Sequence, residues 1–312
     1  MLSMPLIAAC ATAGMIVDRW FGEPRRHHPL EAFGRLAMRL ETHYNTGRRG
    51  RPVGLIAWLL AVMPPVAISW LLVEILPVAL ACVVHVALLW FALGARSLRE
   101  HIEPIARALG RHDLDEAREL TSRIVSRETA HADEAALSRA AVESALENGN
   151  DAVFGALFWF VLFGGPGALA FRLANTLDAM WGYRTPRFLR FGWAAARIDD
   201  VLNWAPARLT AASYALLGDT RTAWRCWREQ APRWDSPNAG PVMASGAGSL
   251  NVLIGGPAVY NGEIERRPTL GAGQAASASH VNAALALVER TEILWLAVLI
   301  VLALLSVPFI QA

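Results

Sequence analysis

The chemistry of this chain is concentrated in carboxylates at helical spacing. Arg139, Glu143, Glu147 and Asp151 recur at every fourth position, so a helix through them carries one cation and three carboxylates in a single stripe. The stripe runs directly into an apolar segment at Ala152, with Asn148 beside it and Gly149 placed to bend or end the helix. Two readings are open. One is a solvated helix face laced by i,i+4 ion pairs; the other is an oxygen-rich site for Mg²⁺, because hard cations take carboxylate and amide oxygens rather than sulfur or imidazole.

A second cluster lies in FRLANTLDAMWGYRTPRFLRFGWAAARIDDVLNWAPARLT, residues 171–210. Asn175 and Asp178 stand at i,i+3, and Arg197, Asp199, Asp200 and Asn203 fall within two turns ahead of Pro206, with Arg208 just beyond. Adjacent aspartates in an apolar, aromatic helix are costly unless they pair or bind a cation, and Arg197 or Arg208 could be the structural partner. The third stretch, WDSPNAGPVMASGAGSLNVLIGGPAVYNG at 234–262, predicts a turn-rich, glycine-rich loop through Asp235, Ser236, Pro237, Asn238 and Gly240. Glycine permits close backbone approach to a ligand, and its amides can cradle anions; turn chemistry alone also accounts for Asp-Ser-Pro-Asn.

The residues that are missing narrow the mechanism. All 29 basic side chains are arginine, with no lysine anywhere. A Walker A loop, a pyridoxal phosphate Schiff base and a protein-kinase site each need a lysine, so phosphate here must be held by arginine, backbone amides or a metal. A net charge of +2 gives no field that would make nucleic acid a partner. Cys10, Cys82 and Cys226 form no C-x-x-C pair, which argues against a disulfide framework or a structural zinc site. The histidines make no H-E-x-x-H, and His85, inside an apolar run, reads as a packed interior side chain. Gly165, Gly167 and Ala170 match the dinucleotide fingerprint, but they lack the strand that its mechanism requires.

The elements that must position these residues are apolar helices. Hydrophobic residues make up 54% of the chain and charged ones 18%, a balance that points to a bilayer. Residues 2–17 read as a retained first helix, short for a span, because no positive region precedes them. Between 53 and 93 the only charged side chain is Glu74, which predicts a membrane hairpin of 53–73 and 75–93, the first arm kinked at Pro64 and Pro65. Residues 152–171 and 293–310 are further apolar runs, the last reading as a terminal anchor, and 205–218 is a weak candidate span. Eight arginines in 18–51 place that loop in the cytoplasm, and the hairpin returns 94–151 to the same side. The side occupied by 172–292 is left open. No strand alternation is long enough to argue a sheet. The expectation is an all-α, polytopic membrane protein forming one domain over 1–312, with four to five apolar helices, and with polar helices and a glycine-rich loop at the membrane face.

Several motifs, in order and over nearly the whole chain, resemble the CobD/CbiB family of cobalamin biosynthesis, the adenosylcobinamide-phosphate synthases. They are Asp18 with Gly-Glu-Pro and the His28-Pro29 pair; SRET at 126–129; AAVESALENGNDAVFGALFW at 140–159; ANTLDAMWGY at 174–183; AARIDDVLNWAPARLT at 195–210; SPNAG at 236–240; and GGPAVYNG at 255–262. Glu23 stands where the family often has aspartate, and the stretch after Arg208 is less apolar than in relatives.

The resemblance implies an integral enzyme of the cell inner membrane. It would join the carboxylate of adenosylcobyric acid to (R)-1-amino-2-propanol or its O-phosphate, using ATP and Mg²⁺. On that expectation Glu143, Glu147, Asp151, Asp199 and Asp200 form the pool that supplies metal ligands and, apart from Asp151, catalytic groups. Arg197 and Arg208 would clamp phosphate or propionate. Asn148, Asn175, Asp178, Asn203, Ser236, Asn238 and Gly240 would contact and orient substrate. Partners would be the corrinoid and amine substrates, membrane lipid and later corrinoid-assembly enzymes. The rivals are a non-enzymatic membrane sensor of AmpE-like type and a corrinoid transporter, the latter weakened by too few spans and no inverted repeat.

Overall fold

The computed structural model describes residues 2–23, 29–46, 50–260 and 262–307. Pro24, His28 and Asn261, from the motifs above, and 308–310 of the terminal apolar run lie outside the described residues.

Twelve α-helices and five short strands follow in order among the described residues. Helices α1 (Met4–Phe21), α2 (Pro29–Tyr44), α3 (Gly50–Ile75) and α4 (Val78–Ala92) precede the polar α5 (Ala95–Gly110), α6 (Leu114–Ser122) and α7 (Glu134–Gly149). A π-helical turn, Asn150–Phe154, leads into α8 (Gly155–Trp181); then come α9 (Trp193–Leu217), α10 (Thr220–Gln230) and α11 (Ala239–Ser249). Strands β1 (Val252–Gly255), β2 (Ala258–Tyr260), β3 (Glu263–Glu265), β4 (Thr269–Gly271) and β5 (Gln274–Ala275) precede the long α12 (Ala278–Ser306).

Four segments are long and apolar enough to cross a membrane: Met4–Phe21, Gly50–Ile75, Val78–Gly110 and Glu134–Trp181. The first is longer than its apolar run, because the helix continues through Asp18 and Arg19. The hairpin breaks at Pro77, not at Glu74, since proline has no N–H to continue α3 and instead starts α4. Pro64 and Pro65 lie inside an uninterrupted α3. The weak candidate span at 205–218 is no separate element; it is the second half of the 25-residue α9. Helix α12 begins well before its apolar run, which occupies its C-terminal half.

The expectation of no sheet is corrected by β4-β1-β5, in which β1 is antiparallel to β4 and parallel to β5, and by the β2-β3 hairpin. With two to four residues each, these strands are too short to show an alternating pattern. The glycine-rich loop is corrected as well: 239–249 is a helix with every residue buried. Its small side chains allow close approach, and a Cβ added at Gly248 would stand 2.8 Å from Ala223 Cα on α10.

Contacts divide the chain into two compact units. The first contains Met1–Gly94, Gly155–Asn203 and Leu296–Ala312; the second contains Ala95–Phe154 and Trp204–Trp295. In the first unit α2, α3, α8, the turn before α9 and the start of α9 share a core of Phe33, Trp58, Leu173, Trp181, Phe191 and Ala195. Lipid offers apolar helices no hydrophobic drive to associate, so close packing through small residues must hold them. Ala57 and Ala61 on α3 are fully buried, and a Cβ at Gly14 on α1 would meet Leu89 Cδ2 of α4 at 2.7 Å. Helix α8 breaks at Gly164 (φ 66°, ψ −157°). The amide released at Gly165 donates to Nδ1 of the buried His85 at 2.8 Å, which satisfies it inside an apolar setting and puts the imidazole proton on Nε2.

Gly54 tests this packing. A Cβ there would run into the Phe191 backbone carbonyl, which cannot swing aside as a side chain could. Gly54→Ala is expected to lower stability by about 1–3 kcal/mol, read as a reduced thermal midpoint in detergent, while Gly110→Ala, with open space around it, leaves the midpoint unchanged or higher.

Candidate functional site

In the second unit the acidic stripe is not a solvated face. Helix α7 is capped by Asp133, whose carboxylate accepts from Ala136 N, and it packs against α5, α6, α11 and β1. This puts the Glu143 side chain at 4% exposure. A buried carboxylate demands compensation, and Glu143 receives it from outside its own helix. Its Oε2 accepts from Arg127 Nη2 and from Arg267 Nη1 at 3.2 Å; its Oε1 accepts from Arg267 Nη2 at 3.3 Å and from Gly255 N at 2.7 Å. Arg127 and Arg267 are themselves only 14% and 11% exposed, and the Arg267 guanidinium also lies over the Trp234 ring, 5.3 Å from its centroid, in a cation–π contact.

Two local structures aim these arginines. Arg127 is in the SRET segment, which is tied down by Glu128 N donating to Val259 O, Glu128 Oε1 accepting from Gly262 N, and Thr129 Oγ1 donating to Arg118 O. Gly255, at φ 72°, turns the end of β1 so that its amide faces Glu143. Glu147, one turn along α7, is partly exposed and feels the charges of Glu143, Arg127 and Arg267. Asn148 is exposed and donates to Ser144 O and Oγ. The stripe does not extend as a plain α-helix to Asp151, because the π-helical turn intervenes there; Asp151 Oδ1 accepts from Asn150, whose Oδ1 accepts from Thr210.

The same unit holds Arg208, Ser236, Asn238 and Gly240. Arg208 Nη1 donates to Asn238 Oδ1 and Trp204 O, both at 2.9 Å, and Nη2 donates to Pro237 O at 3.1 Å, with the guanidinium 4.6 Å from the Trp204 ring centroid. All of these acceptors are neutral, so among the described residues its positive charge is held in place without a carboxylate; burial lowers its pKa from the ordinary guanidinium value. Ser236 Oγ accepts from Asn238 N and Ala239 N and thereby caps the start of α11, while Gly240 is buried in the first turn, 2.7 Å from Ala231 O at its would-be Cβ.

In the first unit, α8 and α9 bring together Asn175, Asp178, Arg197, Asp199, Asp200 and Asn203. Asp199 is buried and accepts from Asn175 Nδ2 at 3.4 Å and Asn203 Nδ2 at 3.1 Å. Asp200 is half-buried; it pairs with the exposed Arg197 at 3.1 Å and repels Asp178. Burial raises the Asp200 pKa from its ordinary value, against the pull of Arg197 and Arg184.

The five carboxylates expected to bind metal are therefore distributed over both units: Glu143, Glu147 and Asp151 in the second, Asp199 and Asp200 in the first. Among the described residues no group of three or more histidine, cysteine, aspartate or glutamate side chains is set to hold an ion. Arg127 and Arg267 were not among the expected site residues. The family-like SRET motif is a signal for Arg127; Arg267 has none, since it lies 124 positions from its partner.

Long apolar helices with a buried, arginine-compensated carboxylate and an aspartate–asparagine cluster define a helical membrane protein with ionisable groups built into its polar parts. Comparison with known families makes the class specific: the profile described as CobD/Cbib protein matches residues 11–288, and the chain belongs to the CobD/CbiB family. Curated relatives named "Cobalamin biosynthesis protein CobD" include those of Stutzerimonas stutzeri, 58% identical over 92% of this chain and 94% of the relative, and Chromobacterium violaceum, 51% identical over 93% and 95%. That of Mycobacterium tuberculosis is 40% identical over 88% of both chains. No solved structure matches.

The two ion-paired aspartate and glutamate sites differ in what their loss costs. Glu143→Gln strands two buried guanidiniums and is expected to destabilise the protein by about 3–5 kcal/mol, whereas Arg197→Gln breaks an exposed pair and should cost about 0–1 kcal/mol. Chemical or thermal unfolding of the two variants in the same detergent makes the comparison.

Proposed function

We propose that this protein is the amide-forming enzyme of cobalamin biosynthesis, joining the carboxylate of adenosylcobyric acid to (R)-1-amino-2-propanol or its O-phosphate at the expense of ATP. The observation that carries this reading is the family match over residues 11–288, with relatives named for cobalamin biosynthesis aligned along most of their length. Direct condensation of a carboxylate with an amine is uphill in water. In the proposed route the carboxylate attacks the γ-phosphorus of ATP, releasing ADP; the amine then attacks the acyl carbon, and phosphate leaves.

The residues support such chemistry in separate ways. Arg208, held by Asn238 and Pro237 with no carboxylate, is suited to bind a phosphate or a propionate, as is the exposed Arg197 through its remaining N–H groups. Asp200, with its raised pKa, is suited to take the proton from the incoming ammonium. Glu143 fits a positioning role, because both its oxygens are already engaged, while Glu147 is the more available carboxylate on α7. Mg²⁺ is usually held by one or two carboxylates plus substrate phosphates and water, so the oxygen donors Asp178, Asp199 and Asp200, with Asn175 and Asn203, fit it in type; it would neutralise charge on the phosphates. With no lysine present, arginine and backbone amides take the remaining phosphate contacts. The reading also places the chain in the cytoplasmic membrane, with later corrinoid-assembly enzymes as candidate partners.

Complementation of a strain blocked between cobyric acid and cobinamide tests the proposal: growth on cobyric acid is expected, and failure despite good membrane expression overturns it. Asp200→Asn should stay in the membrane and lose amidation by about 100-fold or more. If Asp200 is the base, activity falls as pH drops through its raised pKa, so the acidic limb of kcat/KM lies above that of an ordinary carboxylate. A normal rate for Asp200→Asn, or an unmoved limb, removes Asp200 from that role.

A further inference from the structure

Helix α10, Thr220–Gln230, has the sequence TRTAWRCWREQ and is buried on one side only, through Ala223 and Cys226, where it packs on α11. Its other side presents Arg221, Trp224, Arg225 and Arg228, all exposed, Trp224 at 50%. Arg221 and Arg225 are at i,i+4 and Arg225 and Arg228 at i,i+3, so three guanidiniums crowd about two turns, a spacing that destabilises a helix when the charges are alike and unscreened. None of the three forms an ion pair with a carboxylate among the described residues. Asp219, the nearest acid on the N-terminal side, is engaged as the helix cap by Thr222 N and Oγ1. The arginines, with Trp224 and Glu229, line a cleft of about 300 Å³. Trp224 and Trp227 meet edge to face at 5.1 Å, making an aromatic rim beside it.

From this geometry we infer that the outer face of α10 is a binding site for the headgroup of an anionic phospholipid. The charge complementarity is direct: a phosphodiester accepts bidentate hydrogen bonds from guanidinium forks and relieves their mutual repulsion. Tryptophan beside arginine is the composition of a helix face at a membrane–water interface, where the indole is amphipathic enough to sit at headgroup level. The four membrane-capable helices keep this chain among lipids, so the ligand is always at hand. The inference rests on α10 alone and is independent of the proposed reaction.

The test uses the full chain in nanodiscs of phosphatidylcholine alone or mixed with phosphatidylglycerol. Amide hydrogen exchange across 220–230 is expected to slow in the mixed discs and to recover its speed at raised salt. Native mass spectrometry of the wild type should show selective retention of phosphatidylglycerol, and replacing Arg221, Arg225 and Arg228 singly with glutamine should weaken that preference by roughly fivefold each. The wild-type exchange measurement needs no variant, so it decides even if a triple substitution misfolds. Equal exchange in the two lipids overturns the inference. So does protection in phosphatidylcholine discs on adding inorganic phosphate alone, which would make the ligand a soluble anion, and so does undiminished phosphatidylglycerol retention by a folded triple variant.

Discussion

A carboxylate buried at 4% exposure can stay charged only if the fold brings it cations, and Glu143 makes that demand on the whole second unit. To meet it, the SRET segment must deliver Arg127, the chain beyond β3 must deliver Arg267, and the end of β1 must turn its Gly255 amide inward. Three stretches distant in sequence are thereby fastened to α7. Two guanidiniums against one carboxylate leave a positive excess, and Glu147, one turn away, feels both arginines as well as Glu143. Breaking this arrangement by removing one partner is costly, whereas well-packed apolar residues of the same volume are often no weaker, so the cluster fits a role in positioning charge more than a role in stability alone.

The first unit solves a different problem. Its helices α1, α3, α4 and α8 lie in segments long and apolar enough to cross a bilayer, where every freed backbone group needs a partner. His85 provides one for the broken α8, and the polar ends of α8 and α9 place Asp199 between Asn175 and Asn203. Asp199 thus accepts from two side-chain amides, while Asp200 on the neighbouring face is tied to a solvent-exposed arginine and repelled by Asp178. Adjacent residues on one helix acquire different characters: Asp199 is buried, and Asp200 is half-buried with a pKa that burial raises.

Periodicity made the helices legible, and the carboxylate stripe and the Asp199–Asp200 pair could be read directly from spacing. The partners could not. Arg267 is 124 positions from Glu143, and no local pattern carries such a pairing. The segment 239–249 reads as a loop because glycine and serine are poor helix formers, yet burial against α10 overrides that propensity and uses their small size for packing. Strands of two to four residues leave no alternation to detect. The division into two units was illegible for a related reason: each is assembled from separated stretches, and α9 itself begins in one and ends in the other. Family motifs identified the chain over most of its length, but they point to positions, not to the partner that each side chain finds.

The central chemical claim is activation of a corrinoid carboxylate by phosphoryl transfer. It is tested most directly by incubating the purified protein with MgATP, the amine and adenosylcobyric acid carrying oxygen-18 in the reacting carboxylate, and analysing the phosphate by mass spectrometry. One labelled oxygen is expected in each inorganic phosphate released, formed in step with the amide. Amide formed with unlabelled phosphate, or no amide from folded protein, contradicts it.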